Sequence, residues 1–142
     1  MAQMTAIGKW ELRVDLEDFA GKQYFAQYSN FGVNVISPYR LTVSGYDAAN
    51  SSAEDALIIH NGAAFSTSDN DNDIWPNNCA QAVKGAWWYT NCHDSNLNGF
   101  NYFMSNTGTY ADGIIWTNKK NVPEQGDSFS WPKVEMKIRE SK

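Results

Sequence analysis

Residues 69–93 read DNDNDIWPNNCAQAVKGAWWYTNCH and contain both cysteines of the chain, Cys79 and Cys92. Three aspartates stand at alternate positions at the start of this stretch, and the cysteines enclose a glycine and a pair of tryptophans. Alternating carboxylates are donors that a loop can gather around Ca2+. A disulfide stabilises a loop that has little regular structure of its own. The stretch therefore predicts loops that are organised by a metal ion and a disulfide.

The two cysteines admit a single intramolecular pairing. Their spacing is not CxxC, and neither His60 nor His93 forms a metal-ligand cluster with them, so a disulfide is favoured over a metal-binding or redox-active thiol pair. Closing a loop of this length stabilises the fold by about 3 kcal/mol in the chain-entropy model. A disulfide predicts an oxidising compartment. The sequon at Asn50, which predicts N-glycosylation, agrees with that location.

The aspartate run does not match an EF-hand. Counted from Asp69, the sixth and twelfth positions hold Ile74 and Ala80 instead of the glycine and glutamate that an EF-hand requires, and no helical pattern flanks the loop. A solvated acidic turn is the alternative interpretation. The adjoining disulfide and aromatic residues favour a calcium site of another kind.

Outside this region, four stretches have the pattern of strands. Residues 10–17, WELRVDLE, alternate strictly between apolar and charged side chains, which indicates a half-buried strand. Residues 22–31 and 39–46 are rich in aromatic and branched residues, and residues 134–139 alternate again. The first and last strands carry complementary charges on their outer faces, so we expect them to be neighbours in one sheet.

One helix is predicted at residues 52–59. Ser51 or Ser52 would be its N-cap, and Glu54 and Asp55 in its first turn would interact favourably with the helix dipole. Residues 66–130 show no regular pattern but hold most of the tryptophans, so they are too aromatic to be disordered. The pattern as a whole predicts an α+β domain whose sheet carries a long, loop-built region.

Composition excludes several function classes. The net charge is −5 and no basic patch is present, which argues against nucleic acid and anionic membranes as partners. No apolar run reaches the roughly 18 residues of a membrane span, and residues 1–9 lack the apolar core of a signal peptide. His93, Asp94 and Ser95 are adjacent and cannot supply the geometry of a catalytic triad, and no GxSxG, HExxH or phosphate-binding loop occurs. We therefore expect no enzyme.

Several long motifs in the same order resemble one known family. GAWWYTNCHDSNLNG at residues 85–99 follows STSDNDND and NNCA and precedes YADGIIW and VEMKIR, and WELRVDLEDF stands upstream. Together they resemble the C-terminal fibrinogen-related domain of ficolins, tenascins, angiopoietins and fibrinogen. The resemblance implies a single partial domain over residues 1–142, with a non-family N-terminus at 1–9 and without the family's N-terminal part. A sheet region would comprise residues 10–65 and 133–140, with few short helices, and a calcium- and ligand-binding loop region would comprise 66–132.

The same resemblance implies the calcium ligands. They would be the side chains of Asp71 and Asp73 and the backbone carbonyls of Trp75 and Asn77. Asp69 would then be a supporting turn residue. The resemblance also implies a cis peptide between Asn91 and Cys92.

In sugar-binding members of the family, the neighbouring loops form a small pocket for an N-acetyl group. The matching positions are Asn91, Cys92, His93, Tyr110 and Ala111, with Trp88 beside them. Val83 stands where several such members have an aromatic residue, which would make the pocket shallower. His60 is interpreted as structural.

The resemblance implies a secreted, calcium-dependent lectin for acetylated glycans. The alternative is a protein-binding module of a matrix protein or receptor ligand. Oligomers would form through segments upstream of this sequence.

Overall fold

The computed structural model describes residues 1–102, 110–117 and 129–142. The main sheet is antiparallel, with strand order β3-β2-β1-β6, and a second sheet pairs β4 with β5. The strands are β1 (Trp10–Glu17), β2 (Gln23–Val33), β3 (Leu41–Tyr46), β4 (Ser95–Asn96), β5 (Ile115–Trp116) and β6 (Lys133–Glu140). The helical segments are short: α1 (Ala2–Thr5), a 3-10 turn at Ile58–His60, and α2 (Cys79–Ala82).

The alternation of β1 produces the two faces of the sheet. Leu12, Val14 and Leu16 are almost completely buried against the core. The charged residues that alternate with them lie on the outer face, where Glu11 accepts from Arg139 of β6 at 2.6 Å and Asp15 from Lys137 of β6 at 2.6 Å. The prediction that the first and last strands are neighbours with complementary charges is confirmed.

The predicted helix at residues 52–59 is wrong. Residues 52–57 are irregular, and only Ile58–His60 form a 3-10 turn. The hydroxyls of Ser51 and Ser52 do not cap a helix but accept backbone N–H bonds from Gln27 and Phe25 of β2, at 3.0 and 2.9 Å. β3 pairs with β2 only from Tyr28 onward, so these serines take the place of a neighbouring strand.

Asp55 shows why a helix does not form here. Its Oδ1 accepts the backbone N–H groups of Leu57 and Ile58, each at 3.1 Å, and also the hydroxyl of Tyr28 at 2.8 Å. Serine and aspartate side chains compete with helical hydrogen bonds in this way. The tertiary contact with β2 therefore overrides the local helix signal.

One hydrophobic core joins the sheet to the loops. The rings of Trp87, Trp116 and Trp131 are each about 1% exposed and pack into the same cluster as the buried face of β1 and β2. Tyr24 of β2 meets Trp131 edge to face, with ring centroids 5.7 Å apart. Within the described ranges, no helix is long and apolar enough to cross a membrane.

Candidate functional site

The disulfide anchors one side of the candidate site. Cys79 and Cys92 are bonded, with their Cα atoms 5.6 Å apart, which confirms the predicted pairing. The cis peptide between Asn91 and Cys92, implied by the family resemblance, is also present. Cys79 is the first residue of α2, a helix that the sequence analysis missed. The signal for it was Asn78, whose side chain caps the helix by accepting the N–H of Gln81 at 3.0 Å.

Asp71 and Asp73 lie together in an acidic turn. Asp71 Oδ1 accepts the N–H of Asp73 at 3.2 Å, while the two carboxylate oxygens of Asp73 accept the N–H groups of Trp75 and Cys79, each at 2.9 Å. Burial raises the pKa of the Asp73 carboxyl, and the neighbouring Asp71 carboxylate raises it further. Two carboxylates are therefore held close together directly beside the disulfide.

This donor set fits a hard cation. Ion pairs in the described part of the chain include neither Asp71 nor Asp73, so no lysine or arginine there balances their charge. Backbone carbonyls, predicted here at Trp75 and Asn77, are ordinary ligands of Ca2+. Among described residues, no three acidic, histidine or cysteine side chains are arranged so that they could hold a metal ion by themselves. A site with two carboxylates and backbone oxygens would not form such a group of three.

The other residues of the run support the turn. Asp69 accepts the hydroxyl of Thr67 at 2.6 Å, which lowers the pKa of its carboxyl, and it lies at the exposed end of the turn. Asn72 donates its side-chain amide to the carbonyl of Phe65 at 2.9 Å, and its backbone N–H bonds to the Ser66 hydroxyl at 2.9 Å. Asn72, between two of the aspartates, therefore holds the loop in shape, a role that the sequence analysis did not assign.

His60 connects the 3-10 turn to the loop that carries the predicted pocket. Its Nδ1 lies 2.7 Å from the carbonyl of Trp88, and its Nε2 accepts the N–H groups of Asp94 and Ser95 at 3.2 and 3.3 Å. A carbonyl needs a donor and two N–H groups need an acceptor, so the ring is neutral with its proton on Nδ1. Burial, together with a smaller contribution from nearby His93, lowers the pKa of the His60 imidazole to about 4. This agrees with the structural interpretation of His60.

The two segments of the predicted ligand pocket come together. His93 Nε2 donates to the carbonyl of Ala111 at 2.8 Å, across 18 positions of sequence. Ala111 has φ of 64°, a left-handed conformation that is uncommon for a residue with a side chain. Tyr110 beside it is 75% exposed, and Asn91 is also exposed. The loop therefore presents an exposed tyrosine at the position before Ala111, the residue whose carbonyl His93 contacts.

Trp88 has a different environment. It is 5% exposed, and its indole Nε1 donates to the carbonyl of Tyr39 at 2.9 Å. Its ring packs edge to face against Phe65 and Trp87, at centroid distances of 5.3 and 5.0 Å. Trp88 belongs to the core beneath the loops, and its assignment to the ligand pocket stays a prediction. Val83 is also buried, at 7% exposure.

Three surface concavities of about 460 to 630 Å3 lie away from this loop. Two run along the outer face of the sheet, among charged side chains that already pair with one another, such as Asp15 with Lys137. The third lies beside residues 51–55. The predicted glycosylation site, Asn50, is exposed nearby, and its amide donates to Asp47 at 2.8 Å. Glycosylation at Asn50 stays a prediction.

Comparison with known proteins assigns the family. Residues 1–141 match the C-terminal globular domain of the fibrinogen beta and gamma chains, and the chain belongs to this family. It is similar to ryncolin-4 of Cerberus rynchops, with 42% identity over 98% of this chain and 38% of that protein. It is 46% identical to tenascin-R of Rattus norvegicus over 96% of this chain and 9% of that protein. The chain thus spans well under half of these relatives.

Solved structures agree on the fold. The fibrinogen-like globe domain of human ANGPTL6 superposes with a TM-score of 0.88 at 37% identity, covering 99% of this chain and 61% of that one. Lamprey fibrin D-dimer, complexed with the peptide ligand Gly-His-Arg-Pro-amide, gives a TM-score of 0.84 at 30% identity, over 96% of this chain and 47% of that one. The fold is the fibrinogen-like globe: an antiparallel sheet with few short helices and long loops.

The family also decides the general class of function. Fibrinogen-like domains are non-enzymatic recognition modules that bind peptides or extracellular proteins, and the homologues of this chain are extracellular or secreted. The expectation that the chain is not an enzyme is confirmed by this membership.

Proposed function

We propose that this chain is an extracellular, calcium-dependent recognition module whose loop pocket binds the N-acetyl group of glycans. The observation that carries the proposal is the 2.8 Å hydrogen bond from His93 to the carbonyl of Ala111, which brings the two predicted halves of the pocket together. Tyr110, which precedes Ala111 in the chain and is 75% exposed, would supply an apolar wall for a methyl group. Asn91 and Cys92 complete the predicted rim.

The acidic turn supports a role for calcium. Asp71 and Asp73 would hold the ion with the backbone carbonyls of Trp75 and Asn77, and the ion would supply a fixed positive charge that links the turn together. Asp73 also bonds to the N–H of Cys79, so the turn is directly connected to the disulfide that carries the pocket segment. Binding of calcium would therefore stabilise the pocket through the acidic turn and the disulfide.

The first experiment measures retention on immobilised N-acetylglucosamine, with immobilised glucosamine as the comparison. Each is run in millimolar calcium and again in EDTA. We expect retention only where both the acetyl group and calcium are present. Tyr110→Ala should lose most of the retention, while Tyr39→Ala, which changes an exposed tyrosine outside the pocket, should keep it. Equal retention on both matrices would contradict the proposal.

The calcium site has its own matched pair of variants. Asp71→Asn removes the charge of a predicted ligand, whereas Asp69→Asn changes a supporting residue of the same turn. We expect calorimetric titration to show at least about a tenfold loss of calcium affinity for Asp71→Asn and little change for Asp69→Asn. Equal affinities in the two variants would contradict the assignment of ligands.

A second candidate function is protein binding. The lamprey fibrin structure contains a bound peptide, so a structural relative at 30% identity recognises a peptide. If calcium raises the melting temperature but N-acetylglucosamine does not retain the chain, this alternative becomes the better proposal.

A further inference from the structure

Asp112 is the one carboxylate that is buried among the described residues. It is 2% exposed and directly follows Ala111 in the loop that presents Tyr110. Its Oδ2 lies 2.7 Å from the Nζ of Lys84, and its Oδ1 accepts the hydroxyl of Tyr102 at 2.7 Å. A buried carboxylate is costly unless its charge is balanced and hydrogen bonds satisfy it. These two partners supply both requirements.

Lys84 comes from the segment that follows α2. It directly follows Val83, the C-cap of that helix, and it has a φ of 52°, in the left-handed region. The bond to Asp112 raises the pKa of the Lys84 ammonium. The disulfide tethers the first residue of α2, Cys79, so the helix holds Lys84 at a defined distance from the pocket segment.

Asn96 makes a second link between the same two segments. Its buried side-chain amide donates to the carbonyls of Val83 and Gly113, each at 3.2 Å, and its Oδ1 accepts the hydroxyl of Tyr89 at 2.6 Å. The end of α2 and the residues after Ala111 are therefore joined both by a neutral amide bridge and by an ion pair.

We propose that Lys84 and Asp112 are positioning residues of the ligand pocket. Their ion pair holds the Tyr110–Ala111 loop from one side, and the bond from His93 to Ala111 holds it from the other. The statement about ligand binding rests on the proposed function. The statement about loop position does not, because it concerns the free protein.

The ion pair between Lys84 and Asp112 affects the position of the loop because a buried charge is costly without a partner. Without the Lys84 ammonium, the carboxylate of Asp112 keeps the hydrogen bond from Tyr102 but loses a positive charge 2.7 Å away, and removing one partner of a buried ion pair is strongly unfavourable. Moving the loop outward would allow water to reach the carboxylate. The left-handed backbone at Ala111 would then no longer be held in place.

The test substitutes Lys84, whose side chain is 53% exposed, so that the variant should still fold. Lys84→Met keeps the aliphatic stem and removes the charge, and Lys84→Arg keeps the charge. The matched control is Lys137→Met, which breaks an ion pair of similar length, 2.6 Å to Asp15, on the outer face of the sheet. Amide hydrogen exchange is followed by mass spectrometry, and binding to N-acetylglucosamine is measured in parallel.

We expect Lys84→Met to speed exchange at residues 111–115 by about tenfold, with exchange in β1 and β2 unchanged. Lys84→Arg should restore most of the protection, and Lys137→Met should leave residues 111–115 as in the parent chain. If the parent chain binds N-acetylglucosamine, Lys84→Met should also weaken that binding by about fivefold or more.

Unchanged exchange at residues 111–115 in Lys84→Met overturns the positioning role, whatever the sugar assay shows. Faster exchange throughout the domain overturns it as well, because that result marks a general loss of stability. If the parent chain does not bind the sugar but residues 111–115 lose protection as expected, the positioning role stands and the proposed lectin function fails.

Discussion

The four-stranded sheet and the described parts of the loop region at residues 66–132 bury similar side chains, but the hydrogen bonds of their backbone groups are supplied by different means. In the sheet, each buried residue such as Val14 lies in a continuous ladder, where neighbouring strands pair residue by residue. In the described loops, single side chains form the hydrogen bonds that buried backbone groups need, as His60 does for Trp88, Asp94 and Ser95. A ladder shares its support over many residues, whereas the loops depend on a few polar groups.

This difference predicts where the domain is sensitive. Polar substitutions on the outer face of the sheet should cost little, because exposed ion pairs contribute little to stability. Polar substitutions inside the loop region should cost much more, because each leaves buried backbone groups without partners.

His60→Leu should have the largest effect, a loss of about 4 kcal/mol in the free energy of unfolding. Leucine fills a similar volume but leaves the carbonyl of Trp88 and the N–H groups of Asp94 and Ser95 without the imidazole. Urea unfolding followed by tryptophan fluorescence measures the change. A loss below about 1 kcal/mol would show that the loops do not depend on this side chain.

Replacing both Cys79 and Cys92 with serine should cost about 3 kcal/mol, because the open chain regains the freedom of a loop that spans 13 positions. The same unfolding measurement applies, with and without a reducing agent. The parent chain should lose stability on reduction while the double variant should not respond. A reducing agent that destabilises both equally would point to an effect other than the disulfide.

Acidification should destabilise the loop region through His60. The pKa of its imidazole is about 4 in the folded chain and 6.5 as the ordinary value, so the unfolded chain binds the proton first as the pH falls. The stability that comes from the neutral ring is fully present above pH 6.5 and is lost toward pH 4, by about 2 kcal/mol between pH 7.5 and 5. His60→Gln, compared over the same range, should show a shallower decline. Equal slopes would contradict this source of pH dependence.

Arg139→Gln should have the smallest effect, a loss of about 0.5 kcal/mol or less in the free energy of unfolding. Arg139 pairs with Glu11 at 2.6 Å, but its side chain is 80% exposed, so water and salt screen the interaction. The difference from the parent chain should shrink further in high salt. A loss as large as that expected for His60→Leu would break the contrast between the sheet and the loops.

The sheet was largely readable from the sequence because its signals are local. Strict alternation in residues 10–17 sets which side chains are buried, and the opposite charges on residues 133–140 indicate the neighbouring strand. The local sequence pattern gave a wrong prediction, a helix, at residues 52–59. There, Ser51, Ser52 and Asp55 find hydrogen-bond partners on β2, and those partners are more than twenty positions away in the sequence.

In the loop region, too, some features could be predicted from the sequence and others could not. The sequence by itself determined the single disulfide pairing, the acidic turn and, through its motifs, the family to which the chain belongs. Only the tertiary structure decided that His93 meets Ala111, that His60 supports the loop as a neutral ring, and that Lys84 reaches the buried Asp112. The physical reason is the range of the interactions. Alternation and motif spacing can be recognised within a few consecutive residues. These hydrogen bonds and this ion pair join segments that are distant in the sequence and approach each other only after the core has packed.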